Sequence, residues 1–539
     1  MPRAVLIFCF LYLASHCKCA WPDPYVKTHG EIWPLPQQIE RKETVWSFDP
    51  KKFAIRSASK CDIIVEAIKR YTARLLTMRG YEHQPDISFQ DPLSSLEVVV
   101  EGECPQGVPQ LGMDESYKLN VTSSDAVLRA AEVWGALRGL ESFSHLVYYN
   151  VSQGHMIRST IIKDFPRFPH RGVLLDTSRH FLSVNAIKAN IELMSQNKFN
   201  VFHWHIVDNE AFPYASEAIP SLSDGAYTCN HKYSLEQIKD IVAYARLRGV
   251  RVVAEFDTPG HMQSWGKGMQ SLLTRCFDSE GRETFDRSLI DPTNEDTWDV
   301  LLALFEEVFA VFPENYVHLG GDETEFWIPD CWEHNKNITT FMSLYGLKSA
   351  RDLEQWYFSK LINMLNAPHR EIRKRFIVWQ EVLDMDIEVA NAIAHVWKGG
   401  STAEQMQEMA DVTSKGHYAL LSACWYLDYI HTAADWFDYY KCDPQEFNGS
   451  STQKNLVLGG EATLWGEWVD ESNVISRLWP RASAVAERLW SDKEQTKDPS
   501  KAWHRLYEMQ CRMASRGYPV QPAYGPGFCD FEYHAALPV

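Results

Sequence analysis

The segment His318-Leu-Gly-Gly-Asp322-Glu323 carries the plainest chemistry in the chain. Two glycines let the backbone turn sharply, and two adjacent carboxylates follow. Carboxyl groups this close do not ionise independently, so one can hold its proton near neutral pH and serve as an acid. An isolated Asp-Glu pair is usually a solvated loop tip, so placement decides. A second candidate, His203-Trp204-His205, puts both imidazoles on one face of a strand by alternation. That invites a metal, but no HExxH-type helix accompanies it, and two packed, hydrogen-bonded histidines satisfy the same pattern. No G-x-S-x-G elbow, G-x-G-x-x-G or Walker loop occurs in the required setting. Neither a metal nor a cofactor is expected.

The elements that must position these residues are short apolar runs alternating with helical stretches. The runs are 172–176, 200–207, 250–256, 316–319, 376–379, 392–396, 418–423 and 455–459. Between the second and third, Ser234 caps a helix, Gln237 completes a capping box, and Gly249 stands where the helix would stop. Eight β/α units in roughly 370 residues predict a TIM barrel. Asp176 and Arg179 follow the first run, Asp208 the second, and Asp257 and His261 the third. Asp322 and Glu323 follow the fourth, with Trp379, Glu381 and Trp397 after the fifth and sixth. Tyr426 and Asp428 follow the seventh, Trp465 and Glu467 the eighth. In a barrel these positions converge on one mouth. Carboxylates, one arginine and several tryptophans there suit a sugar, with aromatic faces for C–H surfaces and charged groups for hydroxyls.

The predicted architecture is therefore α/β: a (β/α)8 barrel over 166–539, preceded by a smaller α/β domain over 21–165. The smaller domain holds helical patterns at Asp62–Leu76 and Val133–Leu146 and strands near 96–100 and 117–121. The proline-marked segment 164–170 forms the boundary. Residues 1–20 read as a secretory signal, with Arg3 before an apolar run of eleven and the small residues Cys17, Cys19 and Ala20 offering a cleavage site. No later apolar run has spanning length, so no membrane span is expected. The chain has 539 residues and a net charge of −18, which argues against a nucleic-acid partner. Sequons at Asn120, Asn150, Asn337 and Asn448 fit a secreted or luminal glycoprotein. Nine of the twelve cysteines lie beyond the signal, an odd number, so at least one thiol is free or pairs between chains.

Arg171-Gly-Val-Leu-Leu-Asp-Thr-Ser-Arg-His180, Val201-Phe-His-Trp-His-Ile-Val-Asp208, Ala254-Glu-Phe-Asp-Thr-Pro-Gly-His261, His318–Glu323 and Trp465-Gly-Glu467 together resemble the lysosomal β-hexosaminidases, family 20 glycoside hydrolases. The resemblance runs from about Trp21 nearly to the C-terminus. It implies a small α/β domain before a catalytic barrel, usually dimeric with itself or a sister subunit, acting in the lysosome or in secretions. It implies retaining, substrate-assisted removal of terminal N-acetylhexosamine, in which the sugar's own acetamido oxygen attacks. Glu323 is then the acid and later the base, Asp322 orients the acetamido N–H, and Tyr426 bonds its oxygen. Trp379, Trp397 and Trp465 shape the acetamido pocket. Arg179 and Glu467 hold ring hydroxyls, Asp428 holds the 6-hydroxyl, and Asp208 and His261 support the acid. The resemblance also implies disulfides Cys61–Cys104, Cys276–Cys331 and Cys511–Cys529, the middle one bracing the loop of Asp322 and Glu323. It leaves Cys229, Cys424 and Cys442 unassigned. At Asp428-Tyr429 the family's α-type subunit has Asn-Arg and its β-type an acid before an apolar residue, so the chain resembles the β-type. The competing expectation is a non-catalytic glycan-binding protein on the same scaffold, which would tolerate loss of Glu323.

Overall fold

The computed structural model describes residues 28–77, 92–122, 124–150, 153–384, 392–429, 431 and 434–532. The signal-like segment lies outside them. Eight strands, His170–Asp176, Val201–Val207, Arg251–Phe256, Tyr316–His318, Arg375–Trp379, Ile393–Val396, Tyr418–Leu421 and Val457–Leu464, pair in parallel and close into a barrel. Both faces of these strands are covered, which is why Val201–Val207 reads VFHWHIV with every residue buried. Phe202, Trp204 and Ile206 join the outer core under the helices. The alternate residues face inward, and the inside is layered. Val201, Val253, Tyr316, Ile377, Ile393 and Leu420 form one apolar cluster. Two residues further along the strands come His203, Glu255, His318, Trp379 and His395, so the next layer toward the mouth is polar.

The eighth strand differs from its expected span of 455–459. The glycines at its predicted end belong to its interior: a Cβ on Gly459 would sit 1.8 Å from the His170 oxygen, and one on Gly460 would sit 2.1 Å from the Leu421 oxygen. They mark close backbone approach rather than a stop. Asn455, read as the first strand residue, instead ends the short helix Ser451–Asn455. The predicted helix between the second and third strands is Leu235–Arg246, with both capping-box bonds of Ser234 and Gln237 present.

The smaller domain is a mixed sheet in the order Gln38–Ser47, Gly154–Asp164, Tyr117–Val121, Asp125–Ala130, Ser95–Val100, Ala54–Arg56, with Val147–Asn150 also paired to Gly154–Asp164. Its helix Val133–Leu146 is buried along its whole length, since it touches the sheet while Arg138 reaches the Arg248 and Gly249 carbonyls of the barrel. Polar clamps join the two parts. Glu115 accepts from Arg138 (2.8 Å) within its own domain and from Arg171 (2.6 Å) and Asn200 (3.0 Å) of the barrel. Asp164 accepts from Tyr117, from the fully buried Lys198 (2.8 Å) and from Trp490. Burial alone would raise the Glu115 carboxyl, but Arg171 and Arg138 hold it below the ordinary value, so it is an anion between two buried cations. The exposed Asn120, Asn337 and Asn448 and half-buried Asn150 are the sequon asparagines. Among the described residues no helix is long and apolar enough to cross a membrane.

Breaking a buried charge cluster by deleting one partner costs far more than the cluster's net worth. Glu115→Ala is therefore expected to destabilise the chain by roughly 3–5 kcal/mol in denaturant unfolding. A loss below about 1 kcal/mol, the scale of an exposed pair, would contradict the clamp.

Candidate active site

The barrel strands end at a cavity of about 530 Å³. Arg179, Asp208, His261, Asp322, Glu323, Trp397, Tyr426, Asp428, Trp465 and Glu467 line it, joined by His205, Tyr429 and Trp468. Thus ten of the predicted site residues meet at one mouth. Trp379 does not reach the wall. It is 1% exposed, its ring stacks on His395 at 4.3 Å, and its Nε1 donates to Glu255 (2.8 Å). As the last residue of its strand it points inward, and it supports the Trp465 ring from 6.0 Å below.

The acidic pair is placed by backbone constraint. Gly320 and Gly321 have φ of +72° and +103°, and a Cβ on Gly320 would lie 1.7 Å from Asp257 Oδ1. Only glycine fits this turn. Gly321 N–H donates to that same oxygen (3.0 Å), fixing Asp257 under the turn. Glu323 (φ +55°) and His261 (φ +56°) are themselves left-handed, a conformation that side-chain-bearing residues avoid unless the surroundings enforce it. Beyond Glu323 the chain is pinned by Cys276–Cys331, which packs with Leu289, Trp332 and Ile338. Cys61–Cys104 and Cys511–Cys529 are paired too. Cys424 pairs with Cys442, just ahead of Tyr426, which leaves Cys229 as an exposed free thiol.

The charges interlock. Asp208 Oδ2 lies 2.8 Å from both Arg179 and His205 Nε2, and its Oδ1 lies 3.0 Å from His261 Nδ1. Arg179 also donates to Asp176 (2.9 Å) and lies 3.8 Å from Glu467, with its guanidinium 5.2 Å over the Trp465 ring. Burial works against a charged His261, but Asp208 and Asp322 outweigh it and lift its pKa to about 9. The free Nε2 of that imidazolium stands 3.6 Å from Glu323 and 3.9 Å from Asp322. Burial, then the Asp322 charge, push the Glu323 carboxyl up, against His261 and Arg179. Burial followed by Asp322 and Glu255 drive Asp257 well above the carboxylate range, so Asp257 keeps its proton beside Asp322. Burial and Asp322 raise Tyr426 too, keeping it a neutral phenol. Burial, with Glu467 nearby, lifts Asp428 to about 6. Glu381 receives the Trp397 indole N–H (3.0 Å) and Lys398 (3.0 Å), which fixes that tryptophan at the wall.

Among the described residues, metal-type ligand atoms do come together in three buried sets: His203/Glu255/His318, His203/His395/Glu461 and Asp257/His261/Asp322. His203 has Glu461 at 2.8 Å on Nδ1 and Glu255 at 3.0 Å on Nε2, and its pKa rises to about 9 because those carboxylates outweigh burial. A ring protonated on both nitrogens has no lone pair for a metal. The histidine pair is therefore part of a charge network. Glu255 escaped the sequence reading; its signal was a carboxylate within a strand buried on both faces. Trp468, 75% exposed, also escaped it, sitting at the rim where no periodicity marks it, beside the 61% exposed Tyr429.

This arrangement suits acid-assisted cleavage of a glycosidic bond: a raised carboxyl beside a fixed imidazolium, a second carboxylate, and aromatic walls. Comparison with known proteins agrees. Residues 168–493 match the glycosyl hydrolase family 20 catalytic domain, and residues 32–146 match a domain described as beta-acetyl hexosaminidase like. The chain is 45% identical to beta-hexosaminidase A of Caenorhabditis briggsae, over 94% of this chain and 93% of that protein. It is 44% identical to the mouse beta-hexosaminidase subunit beta, over 93% of each. Among solved structures, the chitobiase of Flavobacterium johnsoniae superposes with a TM-score of 0.77 at 32% identity, covering 90% of this chain and 73% of that one. With a family model matching more than half its length and relatives aligned over nearly all of it, the chain belongs to glycosyl hydrolase family 20.

Proposed function

We propose that this chain is an exo-acting β-N-acetylhexosaminidase that removes terminal β-GlcNAc or β-GalNAc with retention of configuration. The observation that carries the reading is Glu323, a carboxyl raised by burial and by Asp322, held in a left-handed turn opposite His261. In the first step the 2-acetamido oxygen attacks C1, the C1–O bond breaks, and the leaving oxygen takes the Glu323 proton. The cyclic oxazolinium that results carries positive charge on the former acetamido group. Asp322, kept in place by the protonated Asp257, accepts the acetamido N–H and stabilises that charge. The neutral Tyr426 phenol donates to the acetamido oxygen, between Trp397 and Trp465 at ring distances of 6.5 Å and 6.4 Å. Glu323, now a carboxylate, takes a proton from water, which adds to C1 and opens the ring. Two inversions give net retention.

Arg179 and Glu467 bind ring hydroxyls, and Asp428 takes the 6-hydroxyl. Identities to the mouse β and α subunits, 44% and 42%, barely differ, so the β-type assignment rests on Asp428. The chain works as a homodimer or with a sister subunit, in the lysosome or in secretions. The relatives' naming as β and α subunits, the signal-like N-terminus and the sequons support this.

Because Glu323 must be protonated in the first step, kcat/KM on an aryl β-GlcNAc is expected to fall as pH rises through its raised pKa. Glu323→Gln should lose about 10²–10⁴-fold on that substrate and lack the falling limb. The aryl β-glucoside, lacking the acetamido group, should be inert. A variant retaining both rate and limb would remove Glu323 from the acid's role. Asp428 gives a second test. As pH falls through about 6 its charge is lost, so the ratio of kcat/KM for a 6-sulfated over a neutral aryl substrate should rise. Asp428→Asn with Tyr429→Arg should raise the ratio at pH 7. A ratio independent of both pH and these substitutions would show that Asp428 does not face the 6-position.

A further inference from the structure

The acid assigned above depends on a histidine whose ring packs edge-on against Trp327 at 5.1 Å and is oriented by a single hydrogen bond. The hydrogen bond fixing the His261 ring is the one to Asp208, and its Nε2 has no hydrogen-bond partner. Whatever holds Asp208 therefore aims His261 at Glu323. Arg179 is one such group. The Asn209 N–H, which donates to Oδ1 (2.5 Å), is a second, and His205, 1% exposed on the second barrel strand, is a third.

His205 lies between two carboxylates: Glu255 Oε2 is 2.6 Å from its Nδ1, and Asp208 Oδ2 is 2.8 Å from its Nε2. A neutral imidazole has one N–H and one lone pair, so in either tautomer its lone pair would face a carboxylate. With both nitrogens protonated, the ring donates to both. The Trp465 ring closes over it edge-on at 4.9 Å. Glu255 in turn faces His203 Nε2 (3.0 Å), His318 Nδ1 (3.2 Å) and Trp379 Nε1 (2.8 Å), and His203 reaches Glu461 (2.8 Å). From the barrel centre to the mouth the order is Glu461, His203, Glu255, His205, Asp208, His261, with charge alternating at every step. Glu323 and Asp322 stand at its outer end.

We propose that His205 is a positioning residue for the catalytic acid: held as an imidazolium by Glu255, it locks the Asp208 carboxylate so that His261 stays charged and directed at Glu323. This rests on the reading of Glu323 as the acid. Removing the ring leaves Asp208 Oδ2 with Arg179 alone, so only that pair and the Asn209 N–H on Oδ1 still set the plane of the carboxylate that aims His261. When the ring is lost Trp379, beneath the acetamido pocket, keeps its bond to Glu255, and a glutamine side chain retains bulk under the Trp465 ring.

The test compares leaving groups. A 2,4-dinitrophenolate departs without a proton, whereas 4-methylumbelliferone or a sugar alkoxide needs one increasingly. His205→Gln should lower kcat/KM on 4-methylumbelliferyl β-GlcNAc about 10- to 100-fold, part of what a positioned acid supplies. On the dinitrophenyl β-GlcNAc the loss should stay within about threefold, since kcat/KM reports the first irreversible step. Glu323→Gln runs beside it. Equal losses on both substrates for His205→Gln, with Glu323→Gln showing the leaving-group difference, would overturn the positioning role. Absence of that difference in Glu323→Gln would overturn the acid assignment and the proposal with it. Should His205→Gln not fold, a neutron structure of the unaltered enzyme decides: deuterium on both His205 nitrogens is expected, and a singly protonated ring would overturn the proposal.

Discussion

The two oxygens of the Asp208 carboxylate satisfy three cationic side chains, and the rest of the site depends on that arrangement. Arg179, His205 and His261 come from three different stretches of chain, and each is desolvated at the barrel mouth. An unpaired charge buried there would cost several kcal/mol, so each of the three stays paired to the same anion. Burial works to raise Asp208, but Arg179 and His261 drive its carboxyl far below the ordinary range. The anion is permanent, and the sugar-binding arginine and the acid's imidazolium share one fixed reference.

The barrel makes such a charge density tolerable. One interior layer is apolar, while the next is a histidine–glutamate layer in which Glu255 and Glu461 face His170, His203, His205 and His318. Gly172 makes room there: a Cβ on it would lie 2.5 Å from the Glu461 side chain. The low dielectric that makes each ion costly also strengthens its attraction to the neighbours, and the geometry becomes rigid. Rigidity is what a general acid needs, because misplacing it by about 1 Å costs on the order of 10²-fold in rate.

How much of this was legible in the sequence depended on whether the signal was local. The turn at Gly320-Gly321 and the carboxylates after it stood out because only glycine tolerates that backbone. The capping box at Ser234 and Gln237 closes within three residues, so sequence spacing was enough to find it. The eighth strand was cut short because Gly459 and Gly460 look like a stop, whereas their reason is a neighbouring strand distant in sequence. The Trp379 position read as a wall residue; the inward phase of its strand makes it a floor. Cys424–Cys442 has the same separation of 18 as Cys511–Cys529, and nothing in that spacing distinguishes a bridge from a coincidence. Glu255 and His205 were hardest, because their roles exist only through partners on other strands.

The central claim is that the substrate's own acetamido oxygen is the nucleophile and that the protein is built around holding it, with Glu323 as the acid. Measuring kcat/KM for aryl β-glucosaminides bearing N-acetyl, N-fluoroacetyl, N-difluoroacetyl and N-trifluoroacetyl groups tests this most directly. Each fluorine drains the carbonyl oxygen while leaving the ring and the leaving group unchanged. The account predicts a steep, monotonic fall along the series. A flat series would mean that a protein carboxylate attacks C1 and would contradict the roles assigned to Asp322 and Tyr426.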